Sequence, residues 1–132
     1  MQARYLELVR RGNATLNSGA WEVLLELFDP QIVWETTGEF ADSGLYRGHA
    51  RVRQMIAEIS DDLADVHFEV GDLQASEDHV VANVVWRGRG KRSGASVERR
   101  FVTVTSFRDD KVVRVRSFSD RQQALEAAGL RE

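Results

Sequence analysis

The sequence predicts an α+β fold, in which N-terminal helices pack in a strongly curved antiparallel sheet to form a cone-shaped α+β barrel with a short C-terminal helix. In the first half of the chain, apolar residues recur at the helical spacings of three and four, whereas the second half alternates as strands do. The chain has 132 residues, and 42% of them are hydrophobic, which suffices for one domain with its own core. We therefore expect a single domain over residues 1–132.

Three helices are predicted before the main run of strands. The first ends at Asn17-Ser18-Gly19, the second ends at Asp29-Pro30, and the third begins after Gly48. Residues 31–37 alternate as a short strand, and residues 38–46 are predicted as a loop. The apolar faces of the helices consist of Tyr5, Leu8, Val9 and Leu16, then Trp21, Leu24, Leu25 and Phe28, then Val52, Met55, Ile56 and Ile59.

The rest of the chain is predicted as an antiparallel meander. Strands are expected over 66–70, 80–89, 97–107 and 111–119, with connections at 76–79, 88–94 and 108–110. A last helix is predicted over 120–128. Helices followed by a block of strands are typical of the α+β class.

Composition narrows the function classes. The sequence contains no cysteine, which excludes disulfides, a cysteine nucleophile and thiolate metal sites. A formal net charge of -3 predicts no general attraction to nucleic acid or to anionic membranes. No apolar run reaches the roughly 18 residues of a membrane span, and the charged N-terminus is unlike a signal peptide. We expect a cytoplasmic protein.

Neither a metal site nor a bound cofactor is expected. The three histidines, His49, His67 and His79, are far apart and have no metal-binding spacing. The stretch between Arg87 and Arg100 is rich in basic residues, which can form either a patch for an acidic partner or a solvated hairpin. Because the net charge is negative, the solvated hairpin is favoured.

Three segments resemble a known group of proteins. They read NSGAWEVLLELFDPQIVWETTG, YRGHARVRQMI and FVTVTSFRDDKVVRVRSFSDRQQALEAAGL. Together they resemble the nuclear transport factor 2-like superfamily, and within it the SnoaL-like branch of polyketide cyclases, limonene epoxide hydrolase and ketosteroid isomerase. The resemblance implies a cavity between the helices and the concave face of the sheet, and a homodimer. It leaves the function open, because this superfamily contains enzymes, binding proteins and association modules.

The resemblance can be followed residue by residue. Where the isomerase has its two acids this chain has Thr36 and Thr103, which argues against steroid isomerase chemistry. Asp120 matches the acid that follows the last strand in the epoxide hydrolase and in the cyclases. The hydrolase's other water-holding residues correspond to Val84, Trp86, Trp34 and Thr36. By this resemblance Asp120 is the candidate catalytic residue.

Asp120 also has a structural interpretation. Asp120-x-x-Gln123 is a capping-box pattern, in which the carboxylate accepts backbone N–H groups at a helix start. Such bonds favour the ionised carboxylate, whereas an apolar pocket would favour the protonated acid. The sequence leaves these two interpretations equally open. A strand-to-helix turn or a bulge near 117–119 would be needed to aim Asp120 at the cavity.

The sequence thus predicts a pocket protein for an apolar small molecule, and three functions remain open. The first is a cofactor-independent isomerase, cyclase or hydrolase that uses Asp120 for acid/base chemistry. The second is a binding protein without chemistry, and the third is a dimeric protein-association module. The residues expected to line the substrate site are Trp34, Thr36, Met55, Ile59, Trp86, Thr103, Thr105 and Phe118.

Overall fold

The computed structural model describes residues 2–19, 21–36 and 44–129. Within these ranges the chain forms four helices and six strands, which confirms the α+β class. Their bounds are α1 (Gln2–Ser18), α2 (Trp21–Glu26), β1 (Phe28–Thr36), β2 (Gly44–Arg47), α3 (Gly48–Asp62), β3 (Leu63–Ser76), β4 (His79–Gly90), β5 (Ser96–Arg108), β6 (Lys111–Phe118) and α4 (Arg121–Ala127).

The strands form one curved, open sheet in the order β2-β1-β6-β5-β4-β3. The predicted meander is present, since β3, β4, β5 and β6 pair antiparallel in sequence order. The pairing that joins β1 to the meander is parallel, since β1 lies beside β6 and runs in the same direction. The N-terminal half of the chain thereby inserts two strands at the free edge of the meander.

The second helix is shorter than predicted. It ends at Glu26, and Phe28, Asp29 and Pro30 belong to β1. The peptide N–H of Val112 donates to the carbonyl of Leu27 at 2.9 Å, so pairing with β6 begins directly after the helix. Proline lacks an N–H for the ladder, and the register of β1 against β6 shifts between Phe28 and Val33. A long-range strand pairing has therefore overridden the local helical pattern.

Two strands differ from the sequence prediction. β2 lies mostly in the stretch that was predicted as a loop. The prediction missed it because a strand of four residues is too short to show a clear alternation of apolar and polar residues. β3 is longer than predicted, and its register against β4 shifts twice, between Ala64 and His67 and between Val70 and Leu73. Each shift interrupts the two-residue period on which the prediction relied. Residues 37–43, predicted as a strand end and a loop, lie outside the described residues.

Each face of the sheet is covered by different helices. We call the face under α1, α2 and α3 the inner face, and the face under α4 the outer face. The outer cluster consists of Val81, Val102, Val104, Ala124, Leu125 and Ala128, with Phe118 and Ala127 against it. The inner cluster consists of Tyr5, Leu8, Leu24, Leu25, Phe28, Ile32, Val52, Met55, Ile56, Val80, Phe107, Val112 and Val115. Because paired residues of neighbouring strands share a face, the register assigns every strand residue to one side.

The side chain of Asn17 fastens the end of α1 to β3. Its Nδ2 donates to the carbonyl of Phe68 at 2.7 Å, and its Oδ1 accepts the peptide N–H of Phe68 at 2.8 Å. The amide therefore satisfies a backbone donor and acceptor of a strand that lies at the edge of the sheet. This pair of bonds fixes where α1 crosses the inner face.

We predict that Asn17→Ala lowers the free energy of unfolding by about 1–3 kcal/mol, because both backbone groups of Phe68 lose their partner. Urea denaturation measures the change. Asn13→Ala, four residues earlier in α1, is the control and should be neutral or slightly stabilising because alanine favours helices. Equal effects of the two substitutions would contradict the role given to Asn17.

Candidate functional site

A row of hydroxyl groups crosses the inner face of the sheet. Thr36 of β1 pairs with Ser117 of β6, and Ser117 pairs with Thr103 of β5. Ser117 is 4% exposed and Thr103 is 8% exposed. Thr36 is half-buried, and its hydroxyl accepts the peptide N–H of Gly44 at 2.8 Å. Three hydroxyl side chains from three adjacent strands therefore stand side by side on one face.

Apolar residues flank this row on the sheet. The neighbouring row runs through Tyr46, Trp34, Val115, Thr105 and Val80. The row on the other side contains Val84, Phe101 and Val70. The hydroxyl row is thus a polar line on a largely apolar surface, in which Thr105 and Tyr46 carry the other hydroxyl groups.

Aromatic and sulfur-containing side chains also lie on the inner side of the sheet. Trp34 packs against the inner cluster, with its ring centroid 6.1 Å from that of Phe28. Met55 of α3 belongs to the same cluster and is 8% exposed. Trp86 lies further along β4, and its ring centroid is 6.3 Å from that of Phe68. Within the described ranges, the indole N–H of Trp86 is buried and has no hydrogen-bond partner.

The structure brings together most of the residues that the sequence predicted for the site. The inner face carries Trp34, Thr36, Thr103 and Thr105 in adjacent rows, and Met55 belongs to the inner cluster against which Trp34 packs. Trp86 shares this face two rows beyond the hydroxyl row, level with Phe68 and Arg99. Ile59 belongs to α3, but its side chain lies outside the described residues.

Phe118 does not share this face, which corrects its predicted place among the lining residues. It pairs with Val102 and packs in the outer cluster under α4, together with Val104. The pairing of β6 with β5 is continuous from Arg114 to Phe118, so no bulge turns this end of the strand inward. The α4 helix covers the outer face, and its position could not be read from the strand pattern.

Sequence reasoning missed Ser117 and Tyr46. The signal for Ser117 was present, because it continues the alternation of Val113 and Val115, but the row becomes visible only when β1 is placed beside β6. Tyr46 lies in the four-residue strand β2, opposite Trp34. The guanidinium of Arg51 lies 4.7 Å from the centre of its ring.

Asp120 is the N-cap of α4. Its backbone is extended, and its Oδ1 accepts the peptide N–H of Gln122 at 2.8 Å. The residue is exposed, and it leads into a helix that covers the outer face. Of the two interpretations that the sequence left open, this geometry agrees with the helix cap. The observed bond goes to the second helical residue, whereas a capping box uses the third.

We predict that Asp120→Ala lowers the free energy of unfolding by about 0.5–2 kcal/mol, because the cap is lost. Asp120→Asn should change it by only a few tenths of a kcal/mol, since asparagine caps about as well as aspartate. Urea denaturation of both variants measures the difference. A loss for the asparagine variant as large as for the alanine variant would show that the charge, and not the cap, matters.

Acidic and basic side chains lie away from the hydroxyl row. In the described part of the chain, the hydroxyl row and the two rows beside it contain no Asp, Glu, His, Lys or Arg. The described residues also contain no group of three His, Asp or Glu side chains that could hold a metal ion. These three rows of the inner face therefore offer hydrogen bonds and apolar contact without a charged side chain, and Arg99 lies one row beyond them.

Three of the six basic residues between Arg87 and Arg100 form ion pairs with acids among the described residues. Arg87 contacts Glu69 at 2.5 Å and Glu98 at 3.1 Å, and Arg89 pairs with Asp65. The hydrogen bond from Arg87 lowers the pKa of the Glu69 carboxyl below its usual value. These exposed pairs agree with the solvated hairpin that the sequence favoured.

A polar cluster on the outer face contains His79, Ser106 and Arg116. His79 Nδ1 and Ser106 Oγ are hydrogen-bonded at 2.7 Å. Burial lowers the pKa of His79 below its ordinary value of 6.5, and the charge of Arg116 lowers it further. Arg116 is half-buried, and its guanidinium donates to the carbonyl of Ala127 at the end of α4.

The lowered pKa of His79 predicts a pH dependence of stability. Below about pH 6.5 the unfolded chain binds this proton before the folded protein does, so the free energy of unfolding falls as the pH drops towards the folded pKa. Urea denaturation between pH 7.5 and pH 5 measures the change. His79→Asn, whose amide can keep the bond to Ser106, should remove this part of the pH dependence of the free energy of unfolding. The exposed His67 lies on the same face, and His67→Asn should leave it in place.

The chain was compared with protein families and solved structures. A family model described as a SnoaL-like domain matches residues 9–115. A protein from Catenulispora acidiphila with a ketosteroid isomerase-like fold, solved with trimethylamine, is 18% identical, with 95% of this chain and 94% of that chain covered and a TM-score of 0.77. A nuclear transport factor 2-like protein from Burkholderia xenovorans is 24% identical, with 97% of each chain covered and a TM-score of 0.75.

A third solved structure is TerC, co-crystallised with polyporic acid. It is 19% identical, with 96% of this chain and 98% of that chain covered and a TM-score of 0.77. At these identities the likeness shows the fold alone. No curated protein matches the chain. None of the described helices is long and apolar enough to cross a membrane.

Proposed function

The chain belongs to the SnoaL-like domain family, and we propose that its inner face binds an uncharged, largely apolar small molecule that carries a hydrogen-bonding oxygen. The observation that carries this proposal is the hydroxyl row of Thr36, Ser117 and Thr103 between two largely apolar rows. Pockets for small molecules are typically apolar, with a few placed polar groups that orient the ligand.

The chemistry of the hydroxyl row and of the side chains beside it defines the ligand class. Hydroxyl groups donate and accept hydrogen bonds, so they suit a carbonyl, ether or hydroxyl oxygen. A charged ligand would lose its hydration without gaining a partner on the rows described above, which is costly. Trp34 contributes apolar surface in the row next to the hydroxyl row, and Met55 belongs to the inner cluster against which Trp34 packs. An uncharged ring or chain with one oxygen could accept a hydrogen bond from Thr103 and contact the apolar side chains beside it.

Two neighbours of the same fold were solved with small molecules. The Catenulispora acidiphila protein was solved with trimethylamine, and TerC was co-crystallised with polyporic acid. These ligands differ in size and charge, so they support a pocket in general and do not identify its occupant.

Acid/base catalysis by Asp120 stays a prediction, as does the homodimer. The exposed carboxylate and its bond to the peptide N–H of Gln122 favour binding without turnover. Asp120→Asn separates the two functions, because it keeps the helix cap and removes the acid. Loss of turnover by this variant, with ligand affinity and stability retained, would establish the catalytic role.

We predict that Thr103→Val weakens binding of the bicyclic ketone decalone about five- to tenfold, because a hydrogen bond worth roughly 1 kcal/mol is lost while the shape is kept. Binding of the hydrocarbon decalin should remain unchanged or strengthen. Titration calorimetry measures both affinities, and circular dichroism checks that the variant is folded.

Thr15→Val is the matched control, since it makes the same chemical change on α1. It should leave both affinities unchanged. The proposal fails if the wild-type protein binds neither compound. It also fails if Thr103→Val weakens the ketone and the hydrocarbon equally, because the hydroxyl would then have no part in recognition.

A further inference from the structure

A groove lies on the outer face, on the opposite side of the sheet from the hydroxyl row. It is located between β4, β5 and the segment that leads into α4, and it has a volume of about 260 Å³. The hydroxyl row of Thr36, Ser117 and Thr103 takes no part in lining it, although Val84 and Phe101, whose side chains belong to the inner face, border it as well. The lining residues are Asn83, Val84, Val85, Arg100, Phe101, Val102, Ser119 and Arg121.

The register explains why the groove has an apolar floor and a basic rim. Asn83 pairs with Val102, and Val85 pairs with Arg100, so these two cross-strand pairs present their side chains to the same face. Val102 belongs to the outer cluster, and Val85 is half-buried beside it. The two valines supply apolar surface directly next to the arginine.

Arg121 is held over the groove by neutral groups. Its Nη1 donates to Oδ1 of Asn83 at 2.7 Å, and its Nη2 reaches Oε1 of Gln74 at 3.4 Å. Among the residues that the structure describes, no carboxylate forms an ion pair with it. The guanidinium is therefore oriented by two amides while its charge stays uncompensated, which is the arrangement that favours an anionic ligand.

Arg100 adds a second, weakly paired cation. Its side chain is 72% exposed, and its one ion pair among the described residues is with Glu98 at 3.5 Å. Glu98 is shared with Arg87, which it contacts at 3.1 Å. Asp120 precedes Arg121 in sequence, but it is not a lining residue, and its carboxylate accepts a bond from Gln122.

We infer that this groove is a second binding site, for a short aliphatic carboxylate. The alkyl chain would lie over Val85 and Val102, and the carboxylate would bind between Arg100 and Arg121. The groove is smaller than the roughly 300–1,000 Å³ of sites for drug-sized ligands, so it suits a short chain. Two guanidinium groups beside an apolar floor match such an amphipathic anion in both charge and polarity.

The test uses hexanoate as the ligand, with hexanol and acetate as comparators, and follows the valine and methionine methyl groups by NMR. Hexanoate should shift the methyl signals of Val85 and Val102 and leave that of Met55 unchanged. Hexanol lacks the charge and acetate lacks the chain, so each should bind at least about tenfold more weakly.

Arg121→Gln removes the charge and keeps a side-chain amide that can donate to Asn83. It should weaken hexanoate binding about tenfold. Arg114→Gln is the matched control, because Arg114 lies on the same face but is paired with Glu35 at 2.8 Å. This control should bind hexanoate as the wild type does. Thr103→Val should also bind it normally, which separates this site from the proposed function.

Three results would overturn the inference. Equal binding of hexanol and hexanoate would show that the arginines do not recognise the carboxylate. Hexanoate shifts confined to Met55 would place the ligand on the inner face. A change in sedimentation coefficient caused by Arg121→Gln would identify the groove as a contact between two copies of the chain.

Discussion

The parallel pairing of β1 with β6 is the contact on which the rest of the structure depends. It joins the helical N-terminal half to the end of the meander, and it sets Trp34 beside Val115 and Thr36 beside Ser117. Arg114 and Glu35 form an ion pair across the same two strands on the outer face. Without this register, the residues of β6 in the inner cluster would no longer pack beside β1. Thr36 would also no longer lie beside Ser117 in the hydroxyl row.

Because neighbouring side chains on a strand point to opposite faces, one register gives the sheet two independent surfaces. The inner surface has hydroxyl groups in an apolar environment and suits an uncharged ligand. The outer surface has arginines beside valines and suits an anion. Thr103 and Val102 are adjacent in the chain, yet one faces the proposed ligand surface and the other faces the groove. The two proposals can therefore be tested by substitutions that do not disturb each other.

Much of the candidate site could be predicted from the sequence, and the predictions that failed or stayed open have a common cause. Trp34, Thr36, Thr103 and Thr105 were expected to share one face, and they do, because alternation within a strand is a local property. Phe118 was expected beside them, but α4 covers it on the other face. Asp120 was left between two interpretations, since the choice depends on where the last helix packs. Each uncertain residue lies where a strand meets an element whose position is set by distant contacts.

The sequence by itself determined the α+β class and the positions of α1, α3 and the antiparallel strands. These features follow from spacings of two, three or four residues, which express the geometry of a single helix or strand. Only the tertiary structure decided that β1 pairs with β6, that Ser117 joins Thr36 and Thr103, and that Arg121 lines one groove with Val85 and Val102. Those arrangements join residues far apart in the chain, and the burial of both faces of one sheet selects them.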